Sequence, residues 1–289
     1  MGAISTHTKG HSIKLTVFGC RGSVPFSRRS LYGDNTSCML ITASCSSSPG
    51  HEEEHLILDA GSGLYGLDLH WKASGRNAAT PVHVLLSHLH FDHTIGLINF
   101  SNIYSDIGDV NIYTCSRDGR PLKEQVLSVF RPPYWPLDLS AMPSVKFKEL
   151  MVEARFNLGS FDITPFVANH PDNTTAYKIK AMGKTIVYLL DFEMAALSDD
   201  EHAKLLSYCR NADLIVFDAS YNDEDCKRRK GWGHSTVAQG KELLAHSCAK
   251  RMIFSHFSQE YEDEELDAWA VGLDSRFVMA RDGLEIIID

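Results

Sequence analysis

Apolar residues in this chain come in short runs separated by turn-rich loops, and the first of them alternates with polar residues at a period of two. IKLTVF at Ile13–Phe18 is that first run and reads as a strand, and SCMLITA (Ser37–Ala43) and HLILDA (His55–Ala60) read as two more. VHVLLS at Val82–Ser87 is apolar and β-branched, as expected of a buried strand. VNIYTC, FDITPFVA, AYKIKA, TIVYLL, DLIVFDA, RMIFSH, RFVMA and LEIIID complete the series. Three stretches carry apolar residues at helical spacing instead. They are Pro121–Phe130, Asp199–Cys209 with acids at its start, and Ser235–Ala245. In the last, Ser235 is the expected N-cap and Val237, Leu243 and Leu244 form the apolar stripe. Strands outnumber helices and come in runs as well as in β–α alternation. This favours an α+β or layered sandwich over a doubly wound parallel sheet.

The polar stretch SCSSSPGHEEE reads as a solvated hairpin loop, and neither a repeat nor a linker divides the chain. The expected organisation is a flexible segment over 1–12 and one domain over 13–289. With 289 residues, 44% hydrophobic and 22% charged, the chain can bury a large core. The formal net charge of -9 argues against a non-specific nucleic-acid binder, which needs a basic surface. It leaves room for an enzyme whose bound dication outweighs the local protein charge. The seven cysteines are widely spaced and form no CxxC, which argues against a zinc ribbon or disulfide framework and fits a reducing compartment. The polar start MGAISTHTKGHS has no apolar signal-peptide region, and no run is long enough to span a bilayer. MGAIST matches the loose myristoylation pattern, a match common by chance. The expected setting is cytoplasmic, without a membrane partner. An exposed sheet edge would allow a homo-oligomer.

The densest chemical signal is SHLHFDH at Ser87–His93, directly after the strand VHVLL. Three histidines and an aspartate fall within six positions. In an extended or turning backbone His88 and His90 project to the same side and can chelate one ion. Asp92 and His93, at the start of the next helix, can reach a second. Further candidate ligands end strands elsewhere: His170 in FVANH, Asp191 in IVYLLD and His256 in MIFSH. Ligands converging at one sheet edge would make a site. His83, alone in its strand, reads as an ordinary core histidine.

HLHFDH, followed by His170, Asp191 and His256, resembles the HxHxDH signature of the metallo-β-lactamase superfamily, over roughly Ile13 to Asp289. The resemblance implies a four-layer αββα sandwich: two mixed β-sheets flanked by helices, with metals at one edge. Carried over by residue, His88, His90 and His170 would hold one ion. Asp92, His93 and His256 would hold the other, and Asp191 would bridge them. Asp59 in LILDAGSG would orient ligands from behind. The cofactors implied are two divalent ions; zinc suits the donors, as do manganese and iron.

Details point to the phosphodiesterase and transfer-RNA 3′-processing branch. True β-lactamases generally lack the bridging aspartate, and oxygen-reducing flavodiiron proteins replace His90 with glutamate. NHPDNTTAYKI, with Tyr177 in the next strand, differs from the Gly-His-Thr-like turn of glyoxalase II. FGCRGSVP and YGDNTSCMLI resemble a subgroup reading GxRGSxP and YGGNTSC, with Asp34 in place of its second glycine. Asn35 in that motif is a candidate pocket residue. FRPPYWPLDL (Phe130–Leu139) is either a packed crossover loop or a pocket wall on which Tyr134 or Trp135 stacks against a base. The basic clusters Arg28–Arg29 and Lys227–Lys230 read as solvated loops or as substrate contacts.

In this branch two ions lower the pKa of a shared water, which supplies the nucleophile at phosphorus. The leaving alkoxide needs a proton from another group. GWGHSTVAQG reads on its own as a turn before a helix, but its GHST resembles the branch's HST motif. His234 is then the candidate acid, and Asp218 in LIVFDAS stands where the branch has an orienting glutamate. His234, Asp218 and Asp92 are the candidate catalytic residues, Asp92 doubling as a ligand. The expected partner is a small phosphodiester such as a cyclic nucleotide, without strong nucleic-acid binding. The alternatives are an RNA 3′-end nuclease of the transfer-RNA processing type and a lactone or ester hydrolase. Only a short stretch, with room for little more than two strands, separates His170 from Asp191, where RNA-processing enzymes carry a basic arm.

Overall fold

A computed structural model describes residues 11–26, 30–45, 53–116, 119–172 and 174–289. MGAIST, Arg28, Arg29 and most of the SCSSSPGHEEE loop lie outside the described residues. The strands in chain order are β1 (His11–Gly19), β2 (Cys38–Cys45), β3 (Glu54–Leu58), β4 (Val82–Leu85), β5 (Val110–Cys115), β6 (Val145–Leu150), β7 (Phe156–Leu158), β8 (Phe161–Ala168), β9 (Thr174–Ala181), β10 (Lys184–Leu189), β11 (Leu214–Asp218), β12 (Met252–Ser255), β13 (Phe277–Met279) and β14 (Glu285–Ile288). They form two seven-stranded sheets, ordered β14-β1-β2-β3-β4-β5-β6 and β13-β12-β11-β10-β9-β8-β7. β1, β2 and β3 pair antiparallel, and β3 to β6 continue in parallel. The second sheet repeats the scheme, antiparallel from β7 to β10 and parallel from β10 to β13. β14 then returns to the first sheet beside β1. The two halves thus share an arrangement without sharing a sequence repeat.

Period-two alternation sorts the side chains into layers. Leu15, Val17, Met39, Ile41, Leu56 and Leu58 join Ile163, Ile179, Tyr188 and Phe217 of the second sheet in one buried cluster. The intervening Leu40 and Ile57 pack instead with Leu64, Leu67 and Trp71 of helix α1 (Gly63–Ser74). A one-residue slip of β2 would bring Leu40 and Thr42 inward in place of Met39 and Ile41, so the pattern fixes the register. α2 (Phe91–Thr94) opens after the histidine motif, and α3 (Leu122–Leu127) lies within the expected helix 121–130. α4 (Asp199–Cys209) matches the expectation, with a capping box from Ser198 and Glu201. α5 (Asp223–Arg228), α6 (Val237–Ser247) and α7 (Asp263–Ala270) complete the set. The result is the expected α+β sandwich of two mixed sheets flanked by helices. No helix among the described residues is long and apolar enough to cross a membrane, and no disulfide joins the described cysteines.

Some boundaries differ from expectation. β1 starts at His11 because His11 and Ser12 still pair with Cys45 and Ser44. The N-cap of α6 is Thr236, whose hydroxyl accepts from the Gln239 amide while the Gln239 side chain accepts from the Thr236 amide. Ser235 is released for another task. Six strands, β3, β4, β8, β10, β11 and β12, bring their C-terminal ends to the edge where the polar residues gather.

Candidate active site

Each candidate ligand stands at or just beyond a strand end. His88 follows β4, His170 follows β8, Asp191 follows β10 and His256 follows β12. The chain turns sharply there: Asp59 (φ 58), Asp191 (φ 53) and His256 (φ 65) all adopt the left-handed region. For residues with a Cβ that conformation costs about 1–2 kcal/mol each, and it persists because surrounding bonds fix it.

The expected ligands form two groups sharing Asp191: His88, His90, His170 and Asp191, and Asp92, His93, His256 and Asp191; a third combination within the same reach joins Asp218 and His234 to Asp191 and His256. Asp191 Oδ2 lies 3.6 Å from His88 Nε2 and 3.5 Å from His170 Nε2, which is 3.4 Å from His90 Nδ1. Asp191 Oδ1 lies 3.1 Å from His93 Nε2 and 3.0 Å from His256 Nε2. Asp92 Oδ2 is 3.3 Å from His93 Nε2 and 3.2 Å from His256 Nε2. A tetrahedral ion with bonds of about 2.0–2.1 Å sets neighbouring ligand atoms roughly 3.3 Å apart, so the spacing suits two divalent ions.

The far nitrogen of each ring explains which atom is left facing inward. His170 Nδ1 donates to the Gly233 carbonyl at 2.8 Å, and His93 Nδ1 to Asp59 Oδ2 at 2.8 Å. His256 Nδ1 meets Ser220 Oγ at 2.9 Å, and His88 Nδ1 meets Ser87 Oγ at 3.0 Å. At His88 and His170, which burial keeps neutral, these bonds select the tautomer whose other nitrogen carries the lone pair. His88 Nε2 and Asp191 Oδ1 are buried and have no hydrogen-bond partner. Lone pairs gathered at such distances call for a positive charge between them, which a bound cation would supply.

The electrostatics divides along the same line. Burial pushes His88, His90 and His170 below the usual imidazole value, toward the neutral form that binds metal. Burial opposes charge on His93 and His256 too, but Asp191 and Asp92 outweigh it. His93 rises well above its ordinary value and His256 to about 10. Burial likewise works against the Asp92 and Asp191 carboxylates, and the facing histidines overcome it and lower both.

Asp59 is fully buried behind this cluster. Besides His93 it accepts from the Ser87 amide (2.6 Å), the Ser87 hydroxyl (2.9 Å) and the Tyr188 hydroxyl (2.7 Å). Tyr177 is structural: its hydroxyl donates to the Leu86 carbonyl at 2.6 Å. His83 is half-buried against the Tyr113 hydroxyl, outside the cluster. His234 does reach the centre. Its ring centroid lies 5.2 Å from those of both His170 and His256, and its Nδ1 is 2.7 Å from Asp218 Oδ2.

Several residues that touch the candidate site were given no part in it by the sequence reading. The Ser220 hydroxyl lies between His234 and His256 and donates to the His256 carbonyl at 2.7 Å. The Ser235 hydroxyl donates to the Phe192 carbonyl at 2.5 Å and accepts from the Met194 amide at 3.1 Å. The Ser23 amide donates to Asp92 Oδ2 at 2.7 Å, and a Cβ on Gly22 would fall 2.5 Å from the His256 ring. The GxRGSxP-like motif therefore lies directly against the second ligand group. The available signal was its position in that motif, and for Ser220 its place two residues after Asp218.

A cavity of about 550 Å³ opens beside His88 and His90, lined by Phe91, Thr114, Gln125, Val129, Phe130 and Asp172 among others. The expected pocket residues do not line it. Tyr134 is 76% exposed, and Trp135 packs on a neighbouring apolar patch with Leu97, Ile98 and Leu139. Only Phe130, at the head of the FRPPYWPLDL stretch, reaches the cavity. Asn35 is spent on scaffolding: its Nδ2 donates to Asp282 at 2.9 Å and its Oδ1 accepts from Ser62. In the Lys227–Lys230 cluster Arg228 pairs with Asp225 and Glu224, and Arg229 with Glu260.

A sequence profile described as the β-lactamase superfamily domain matches residues 55–257, most of the chain and all of the site from Asp59 to His256. The chain belongs to the metallo-β-lactamase superfamily of metal-dependent hydrolases. Ribonuclease Z of Bradyrhizobium diazoefficiens is 23% identical over 95% of this chain and 99% of that protein. Among solved structures, a diphosphatase of the PhnP family superposes with a TM-score of 0.65 at 18% identity, covering 96% of this chain and 97% of its own. Human short-form tRNase Z superposes equally well, with a TM-score of 0.65, 19% identity and coverage of 96% and 99%. At these identities the two superpositions show a shared fold.

Proposed function

We propose that the protein is a two-metal phosphodiesterase acting on a small phosphodiester such as a cyclic nucleotide. His88, His90 and His170 would hold one ion and Asp92, His93 and His256 the other, with Asp191 available to both. The donors suit zinc, manganese and iron alike, with zinc the leading choice. When bound, the ions supply Lewis acidity toward the phosphoryl group and lower the pKa of a water. The chain itself supplies the proton. His234 faces the cluster and is held by Asp218, while the imidazoles of the cluster are occupied as ligands. A poor alkoxide leaving group is therefore protonated from His234. That histidine–aspartate pair beside the ligand groups is the observation that carries the reading. The cavity beside His88 and His90 supports a small substrate.

The ribonuclease Z relative, aligned along nearly the whole chain, favours a second reading as an RNA 3′-end nuclease. Against it, the chain between His170 and Asp191 holds β9, β10 and their turns, with no room for an inserted arm. A turnover screen of zinc-loaded protein on cyclic nucleotides, bis-p-nitrophenyl phosphate, a short RNA and a lactone separates these readings. Turnover of the cyclic nucleotide far above the RNA is expected; RNA trimming alone would favour the nuclease, and lactone hydrolysis alone would remove both.

A further inference from the structure

Glu193 stands two residues beyond Asp191 and is 4% exposed. Its backbone amide donates to the Asn169 carbonyl at 2.8 Å, next to His170. Its carboxylate crosses to the loop that carries His234. Oε1 accepts from the Gly231 amide at 2.9 Å, and Oε2 accepts from the Gly231 and Gly233 amides at 3.0 and 2.9 Å. Both glycines are left-handed, with φ of 87 and 86, so their amides converge as an anion-binding concavity filled by the protein's own carboxylate. Trp232 between them is 58% exposed and meets the Arg229 guanidinium at 5.4 Å, which leaves it little part in anchoring the turn.

This turn sets two functional groups together. The Gly233 carbonyl receives the Nδ1 proton of His170, and His234 is the next residue. A Cβ on Gly233 would lie 2.1 Å from that His170 nitrogen, so the backbone is pressed against the ring. On the far side of His234, Ser235 is tied to Phe192, the residue before Glu193. The Asp191–Glu193 segment thus grips the loop on both sides of the candidate acid.

We propose that Glu193 is a positioning residue that, through the Gly231 and Gly233 amides, aligns both His170 as a ligand and His234 as an acid. This deepens the phosphodiesterase reading and rests on it for the His234 arm, whereas the His170 arm requires only that the centre bind metal.

The test uses the full chain with Glu193→Ala, Glu193→Asp, Glu193→Gln, His234→Ala and the double variant Glu193→Ala/His234→Ala. Circular dichroism and melting temperature check the fold. Should Glu193→Ala not fold, Glu193→Asp, whose carboxylate is one methylene short of the two amides, carries the same measurements, and Glu193→Gln, whose carbonyl oxygen can still accept both amides, should stay nearer wild type in each. Zinc affinity is read by chelator competition and should fall roughly 10–100-fold in Glu193→Ala, as for other residues that orient a ligand. Glu193→Ala should also slow a methyl phosphodiester far more than bis-p-nitrophenyl phosphate. At saturating zinc, which removes the His170 arm from the rate, the double variant should be no slower on the methyl ester than His234→Ala alone, since the remaining effects of both changes act through one group. Wild-type zinc affinity together with equal loss on both substrates overturns the proposal. If His234→Ala itself shows no leaving-group dependence, the acid reading fails, and zinc affinity still decides the His170 arm.

Discussion

His234 Nδ1 donates to Asp218 Oδ2 at 2.7 Å, and Asp218 is fully buried. The other carboxylate oxygen accepts the Ser220 amide at 2.9 Å and the Ser235 amide at 3.4 Å, and Oδ2 also receives the Phe192 amide at 3.3 Å. The shorter aspartate reaches the ring where related enzymes place a glutamate. It does so because the loop after β11 and the GWGHST turn are both drawn onto it. The imidazole is therefore fixed in tautomer and direction before any substrate arrives.

His234→Ala should accordingly leave metal content unchanged while slowing hydrolysis of a methyl or alkyl phosphodiester by roughly 10²–10⁴-fold, the usual contribution of a positioned acid. Bis-p-nitrophenyl phosphate, whose leaving group needs little protonation, should lose far less. Asp218→Asn should give the same pattern in milder form. Equal losses on both substrates, measured as kcat at saturating metal, would contradict the acid role.

The candidate ligand cluster was legible because it is local or marked by strand ends: HLHFDH in one run, then His170, Asp191 and His256, each closing an apolar stretch. The layers were legible from the number and succession of the strands. What escaped lacked such marks. VKFKEL (β6) lies at a sheet edge, where its lysines keep the outer rim charged and dilute the apolar signal. α1 begins with GLYG, whose two glycines are poor helix formers; Gly63 is kept because a Cβ there would meet the Phe18 carbonyl. Ser220, Ser235 and Glu193 act through hydrogen bonds that only the tertiary fold creates, and a serine or glutamate in a turn looks the same whether or not it makes them. Tyr134 and Trp135 show the converse: aromatic composition suggested a pocket wall, and the fold used one residue to pack a neighbouring surface and left the other exposed.

Asp59 binds nothing in the cavity, yet it holds His93, Ser87 and Tyr188 at once. Asp59→Asn should lower zinc affinity roughly 10–100-fold by misdirecting His93. Tyr188→Phe, which removes one donor to the same carboxylate, should act in the same direction but less. Chelator competition on both variants checks this; unchanged affinity in Asp59→Asn would mean that His93 is oriented by something else.

Removing the ions should destabilise the fold as well as stop turnover. The centre crowds five histidines and two aspartates into contact distance, an arrangement that suits bound cations better than bare ligands. Any ion bound only by the folded state adds stability by mass action, about 2.7 kcal/mol per site at a free concentration of 100 Kd. Exhaustive chelation should therefore lower the melting temperature by several degrees, and zinc or manganese should restore both stability and activity. Metal-free protein that melts unchanged and gains no activity on metal addition would sink the two-metal hydrolase reading.

Arg21 offers a test of how the N-terminal motif supports the centre. Its side chain is fully buried and donates to the carbonyls of Gly33 (3.0 Å) and Tyr261 (3.1 Å) and to the Ser30 hydroxyl (2.7 Å), with Asp263 at 3.6 Å. It staples the first loop to the segment beyond His256. Immediately after it, Gly22 lies against the His256 ring and the Ser23 amide holds Asp92. A lysine cannot reproduce this fork of donors, and methionine would leave Asp263 and the carbonyls without it. Arg21→Met should cost about 3–5 kcal/mol in urea denaturation, the range for breaking a buried charged network by removing one partner. Arg21→Lys should cost less. Both should weaken zinc binding through Asp92 and His256, read as a fall in bound zinc per chain at limiting metal. A stability loss with full zinc occupancy would show that the staple serves the fold and not the centre.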